Sequence, residues 1–87
     1  MDYLSIFWDE ANDPDGNVEH LAEHGLDIGD VEYVLAEPSR EGHSQSSGLP
    51  VVWGHTPDGR SIIVVYEKID THTIRVVTAC QVPEPRH

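Results

Sequence analysis

The sequence predicts an α+β domain in which two N-terminal helices pack on an antiparallel sheet of three to four strands, in the order β-α-α-β-β-β. Three observations predict it. Residues 17–36 hold two short apolar stripes at helical spacing. Residues 50–82 hold β-branched and aromatic runs separated by turn residues. Between them, "PSREGHSQSSGLP" at 38–50 is rich in Ser, Gly and Pro and reads as a surface loop. Helices segregated from a run of hairpins are an α+β arrangement.

The opening strand is placed at Leu4 to Trp8, followed by a turn at Asn12-Asp13-Pro14-Asp15-Gly16. Asp13 or Asn17 is the candidate N-cap of the first helix, on which Val18, Leu21 and Ala22 share a face. Gly25 is the left-handed residue that stops this helix, with Leu26 folding back on the apolar side. Asp27 is the N-cap of the second helix. Asp30 lies in its first turn, and Leu26 can staple to Val31. Val31, Val34 and Leu35 continue the buried stripe up to Pro38.

"PVVWGHT" and "RSIIVVYEKI" read as a hairpin turning at Pro57-Asp58-Gly59. If Thr56 pairs with Arg60, then Trp53, His55, Ser61, Ile63 and Val65 share one face. Val52, Gly54, Arg60, Ile62, Val64 and Tyr66 share the other. Asp70-Thr71-His72 turns the chain into "TIRVVTACQV", and 83–87 is expected to be a frayed tail. Residues 1–87 therefore form one domain, too short for two cores.

Five basic residues against 16 acidic ones give a net charge of −11. Such a surface disfavours nonspecific binding to RNA, DNA or anionic membrane. No apolar run approaches the roughly 20 residues of a membrane span, and the N-terminus lacks the pattern of a signal peptide. Cys80 stands alone in the sequence, which fits a reducing cytoplasm.

His20 and His24 lie four apart on one helix face and could both reach a metal, with a loop histidine such as His43 as a third ligand. Zinc chemistry needs at least three protein ligands, and no cysteine pair or histidine spacing completes a set. No metal or other cofactor is expected. For His55 the bland account is a polar cross-strand neighbour. For Arg60 and Arg75 it is pairing with the many carboxylates.

Several short pieces form an ordered series: Trp8-Asp9-Glu10, Asn17, His24-Gly25, Pro38, Gly59-Arg60 and Ile74-Arg75-Val76-Val77-Thr78-Ala79. The series resembles the BrnT-like family of small bacterial toxins, within the RelE/ParE-like ribonuclease toxin superfamily. That resemblance implies a type II toxin–antitoxin system, with metal-independent RNA cleavage and a cognate antitoxin protein as partner. Such cleavage requires a proton carrier near the ribose 2′-OH and cations on the phosphate. The resemblance places Arg60 and Arg75 on the phosphate, with His24 or His55 as the proton carrier.

This chain departs from the family in three places. Glu23 stands where a basic residue usually precedes His-Gly, and Cys80 stands where an arginine follows Thr-Ala. The tail is the short "VPEPRH" rather than a basic helix. The expectation is thus a toxin-family protein with weak or lost ribonuclease activity. The alternative is a non-enzymatic interaction module that uses its acidic surface. An exposed strand edge would serve a homodimer or an added antitoxin strand alike.

Overall fold

The computed structural model describes residues 5–8 and 16–82. In it the chain is α+β: a mostly antiparallel five-stranded sheet with two short helices. The elements are β1 (Ser5–Phe7), α1 (Asn17–Glu23), α2 (Ile28–Ala36), β2 (Arg40–His43), β3 (Pro50–His55), β4 (Ser61–Lys68) and β5 (Thr73–Gln81). Across the sheet the strands run β1-β5-β4-β3-β2. From β2 to β5 they form an antiparallel meander, and β1 joins β5 in parallel.

Two corrections to the sequence-based expectation follow. The element order is β-α-α-β-β-β-β, with five strands rather than three to four, because Arg40–His43 form a strand within the expected 38–50 loop. These four residues have no β-branched or aromatic member, so propensity gives no hint of them. Their partner strand and the turn supply the order instead. The amide of Ser44 donates to the Leu49 carbonyl, the amide of Gly48 donates to Ser44, and Gly48 takes φ 73°. The second correction is the parallel β1–β5 pair. The chain can reach that geometry only by a long crossover, which the two helices occupy.

The helix ends are set by local chemistry. Gly25, at φ 74°, donates to the Ala22 carbonyl while the Leu26 amide donates to Leu21, a full Schellman closure of α1. Asp27 caps α2 in a reciprocal box. The Asp30 amide donates to Asp27 Oδ1 at 2.8 Å, and the Asp27 amide donates to Asp30 Oδ2 at 3.2 Å. The residue at the N-cap of α1 is Gly16, with no side-chain cap. Asn17 is buried instead, and its Nδ2 donates to the Phe7 carbonyl at 3.1 Å, tying α1 to β1. Asp13, the other candidate cap, lies outside the described residues, as do 9–12, 14–15 and the 83–87 tail.

The core gathers Leu21, Leu26, Val31, Val34 and Leu35 against Val52, Ile62, Val64, Ile74 and Val76 of the sheet. Burying one such side chain fully contributes about 1.5–3 kcal/mol. Gly54 is buried where a Cβ would come within 2.9 Å of Val34 Cγ1. A side chain there would push α2 off the sheet.

A bulge between Val65 and Tyr66 adjusts β5. Val65 pairs Thr78, but Tyr66 pairs Val76, so Val77 is the extra residue. Counting back by twos from buried Ala79 would turn Arg75 toward the helices. The bulge resets the alternation, so that Ile74 and Val76 are buried and Arg75 points to the opposite face.

Candidate functional site

The β3–β4 hairpin organises the candidate residues. The Thr56 amide donates to the Arg60 carbonyl at 2.9 Å, and His55 pairs Ser61. This is the register on which the two predicted faces depended. Val52, Gly54, Ile62, Val64 and Tyr66 are buried on the helix side, while Trp53, Ile63 and Val65 are half-buried on the open side. His55 and Arg60 therefore lie on opposite faces.

Arg60 is committed to the fold. Its Nη1 donates to the Gly25 carbonyl at 2.8 Å, its Nη2 to Asp30 Oδ2 at 3.0 Å, and its Nε to Asp58 Oδ1 at 3.0 Å. One guanidinium thus ties the hairpin tip to the turn between the helices and to the α2 cap. The Thr56 hydroxyl also donates to Asp58 and accepts from the Arg60 amide. Those donors, Thr56 first and Arg60 next, hold the Asp58 carboxyl below its ordinary range. Asp58, in turn, raises the Arg60 guanidinium above its own.

His24 lies at the same corner. Its carbonyl accepts from Gln81 Nε2 at 3.4 Å, and its residue is exposed. The fold brings His24 and Arg60 near one another, but both backbone and guanidinium serve to join α1 to the sheet. Arg75 is elsewhere. It is paired across the strands with Glu67, Nη1 to Oε1 at 3.8 Å, on the open face. Six residue steps along β4 separate the Ser61 level of His55 from the Glu67 level of Arg75, a rise of about 20 Å. The four predicted residues thus fall into three places: His24 with Arg60, His55 at the hairpin end of the open face, and Arg75 at its far end.

The open face holds a grouping the sequence did not reveal. Arg40 lies directly across from Trp53, with its guanidinium carbon 4.1 Å from the ring centroid. The ring also reaches over Gly42, where a Cβ would meet Trp53 Cζ3 at 3.2 Å. Beside it a cleft of about 310 Å³ is lined by Ser39, Arg40, Trp53, His55, Ser61 and Val82, among others, and none of the described residues in its wall carries a carboxylate. His55 and Ser61 each make contacts within the chain as well. Only the β2 strand puts Arg40 over Trp53, so the signal depended on recognising Arg40–His43 as a strand.

A second, broader hollow near the other end of β3 has Glu41, His43, Glu67 and Lys68 on its rim. Its charges are mixed. Among the described residues no three histidine, cysteine or acidic side chains converge as metal ligands would, and the side chain of His20 lies outside them. No helix among the described residues is long and apolar enough to cross a membrane.

A domain family described as a domain of unknown function, DUF4258, matches residues 18–81, and the chain belongs to that family. The match runs from within α1 to the end of β5 and so includes His24, Arg40, Trp53, His55, Arg60 and Arg75. Comparison with curated proteins and with solved structures finds no match.

Proposed function

We propose that this is a toxin-family protein of a type II toxin–antitoxin system, BrnT/RelE-like in fold, that acts through protein contacts and has weak or lost ribonuclease activity. The ordered resemblance from Trp8 to Ala79 motivates the family part of this reading. A helix pair leading into an antiparallel meander is compatible with it. One observation carries the loss of activity: Arg60, the arginine that should hold phosphate, already directs three of its five N–H donors to Gly25, Asp30 and Asp58, two of them to carboxylates. Arg75 faces the other way and is paired with Glu67. No single phosphate reaches both arginines across the sheet, so transition-state charge would go largely unstabilised.

The test is cleavage of a long single-stranded RNA by excess protein, with chelator present, beside the Arg60→Ala/Arg75→Ala double variant. The expected result is little or no cleavage by either protein. Robust cleavage that the double variant abolishes would restore an active ribonuclease. The cognate antitoxin is sought by co-purification with the product of an adjacent reading frame. A cytoplasmic setting and a partner strand added at a sheet edge, or a homodimer through that edge, belong to the same reading.

A second reading has its own support. Glu23, Asp27, Glu32 and Glu37 are exposed along the two helices and their ends, and α2 has no basic residue in its last turn. This acidic surface suits a basic protein partner in a non-enzymatic interaction module. Capture of a basic partner at low salt, lost when Glu32 and Glu37 become Gln, would favour it over the antitoxin reading.

A further inference from the structure

We propose that the cleft beside Trp53 is a binding site for the phosphate group of a small phosphorylated ligand, with Arg40 as the residue that holds it. The proposal is independent of the toxin reading, since such a site would act whether or not the chain has an antitoxin or cuts RNA. It starts from an imbalance of charge. The chain carries 16 acidic residues among 87, and the other two described arginines lie against carboxylates: Arg60 on Asp30 and Asp58, Arg75 on Glu67. Arg40 is different. Among the described residues it makes no ion pair, and its guanidinium rests on an indole ring.

That contact orients the group without neutralising it. Stacking uses the face of the guanidinium and leaves its N–H bonds, which radiate in the plane, for an acceptor. A planar fork fixed in this way suits two oxygens of one anion. None of the described residues that line the cleft beside Arg40 is acidic, and Ser61 and His55, paired on neighbouring strands, border it as well. A phosphate monoester carries up to twice the charge of a carboxylate at neutral pH, so it answers the Arg40 guanidinium more strongly. The volume of about 310 Å³ lies at the small end of ligand pockets and suits a compact phosphorylated molecule. The second hollow offers the internal contrast: Lys68 there shares the rim with Glu41 and Glu67.

Titration of ¹⁵N-labelled protein followed by its indole N–H resonances tests the site, because Trp53 is one of only two tryptophans. Substitution of Trp53 by Phe assigns the signals. The probes are inorganic phosphate, ribose 5-phosphate, adenosine 5′-monophosphate, adenosine and acetate. Saturable shifts of the Trp53 signal are expected with the three phosphates and not with adenosine or acetate. Equal affinity among the three would mean that the phosphate alone is read, and tighter binding of the nucleotide or the sugar phosphate would name the source. Arg40→Gln should weaken phosphate binding about tenfold or more, the loss of one charge-assisted contact. Lys68→Gln should leave it unchanged. Arg40→Lys, which keeps the charge but loses the fork, should fall between, and it serves if the Gln variant does not fold. No saturable shift with any phosphate, equal binding of acetate, or undiminished binding by Arg40→Gln overturns the proposal.

Discussion

Arg60 at the tip of the β3–β4 hairpin and Arg40 on the neighbouring strand β2 lie on opposite faces of the sheet, and the surroundings of the two are opposite. On the helix face Arg60 is held by Asp30, Asp58 and the Gly25 carbonyl, so its charge and three of its five N–H donors serve to join three segments. On the open face Arg40 meets an aromatic ring and a cleft whose described wall residues carry no carboxylate. In a chain of net charge −11 acids far outnumber cations, and the other two described arginines each lie against one. An arginine held by a ring rather than a carboxylate is therefore the more informative one. An assignment made through the resemblance selects Arg60 and overlooks Arg40, because Arg40 lies on a strand that its composition does not mark.

The largest effect should come from forcing the closed face apart. Gly54→Ala places a methyl 2.9 Å from Val34 Cγ1, against a side chain with no room to retreat, and should destabilise the protein by about 1–3 kcal/mol in chemical denaturation. On the open face, Gly42→Ala meets only the rim of the Trp53 ring at 3.2 Å. It should cost clearly less and shift the Trp53 indole resonance instead. Equal costs at the two glycines would mean that the open face is packed as rigidly as the core.

How much of this was legible in the sequence depends on the range of the interaction. Gly25 as a helix stop, Asp27 as a cap and Pro57-Asp58-Gly59 as a turn are decided within a few residues, and each is found where local chemistry puts it. The hairpin register followed from the loop length, and with it the separation of His55 from Arg60. Three features were out of reach. Asp30 is a partner of Arg60 from 30 residues away, and no sequence pattern announces that contact. The orientation of Arg75 is set by one bulge, which inverts the simple alternation. Asn17, read as a cap, acts through a buried hydrogen bond to β1, which only the packing of α1 on the sheet makes necessary. Arg40 adds a fourth case, since its strand has no composition of its own.

Arg60→Gln should come next in size. It removes the tie from the hairpin to both helices, and the melting temperature should fall more than for Arg75→Gln, which loses the cross-strand pair with Glu67 at 3.8 Å. Phosphate binding at the Trp53 cleft should survive in Arg60→Gln, since the two arginines lie on opposite faces. Loss of both properties together would dissolve the distinction between the corners.

Acid should weaken the closed corner selectively. Asp58 titrates below its ordinary value of 3.8 in the folded chain, so the folded state binds its proton less readily than the unfolded state does. The contribution is present above the unfolded value and is lost as pH falls through the depressed folded one. Melting curves from pH 5 downward should show the native protein losing stability faster than Asp58→Asn, which has no such proton to bind. Asp70 is also lowered, by the His72 amide first, and it supplies a background slope common to both proteins. Parallel curves would mean that Asp58 does not sense folding.

Arg40→Gln should have the smallest effect on stability, and that smallness is what the comparison needs. An exposed arginine over an indole ring contributes about 0.5–1 kcal/mol at most. Its removal leaves no buried carboxylate without a partner, which is the usual source of larger losses. The fold should therefore be retained, with a change confined to the Trp53 signal and to ligand binding. A large loss of stability would identify Arg40 as another structural clamp, equivalent to Arg60 but on the other face. In that case the two corners would share one purpose, holding β2 and the helices to the hairpin, and the open face would lose its claim to a site. A near-neutral variant leaves a cation placed at a cleft that the fold does not require, and binding is the property that can account for it.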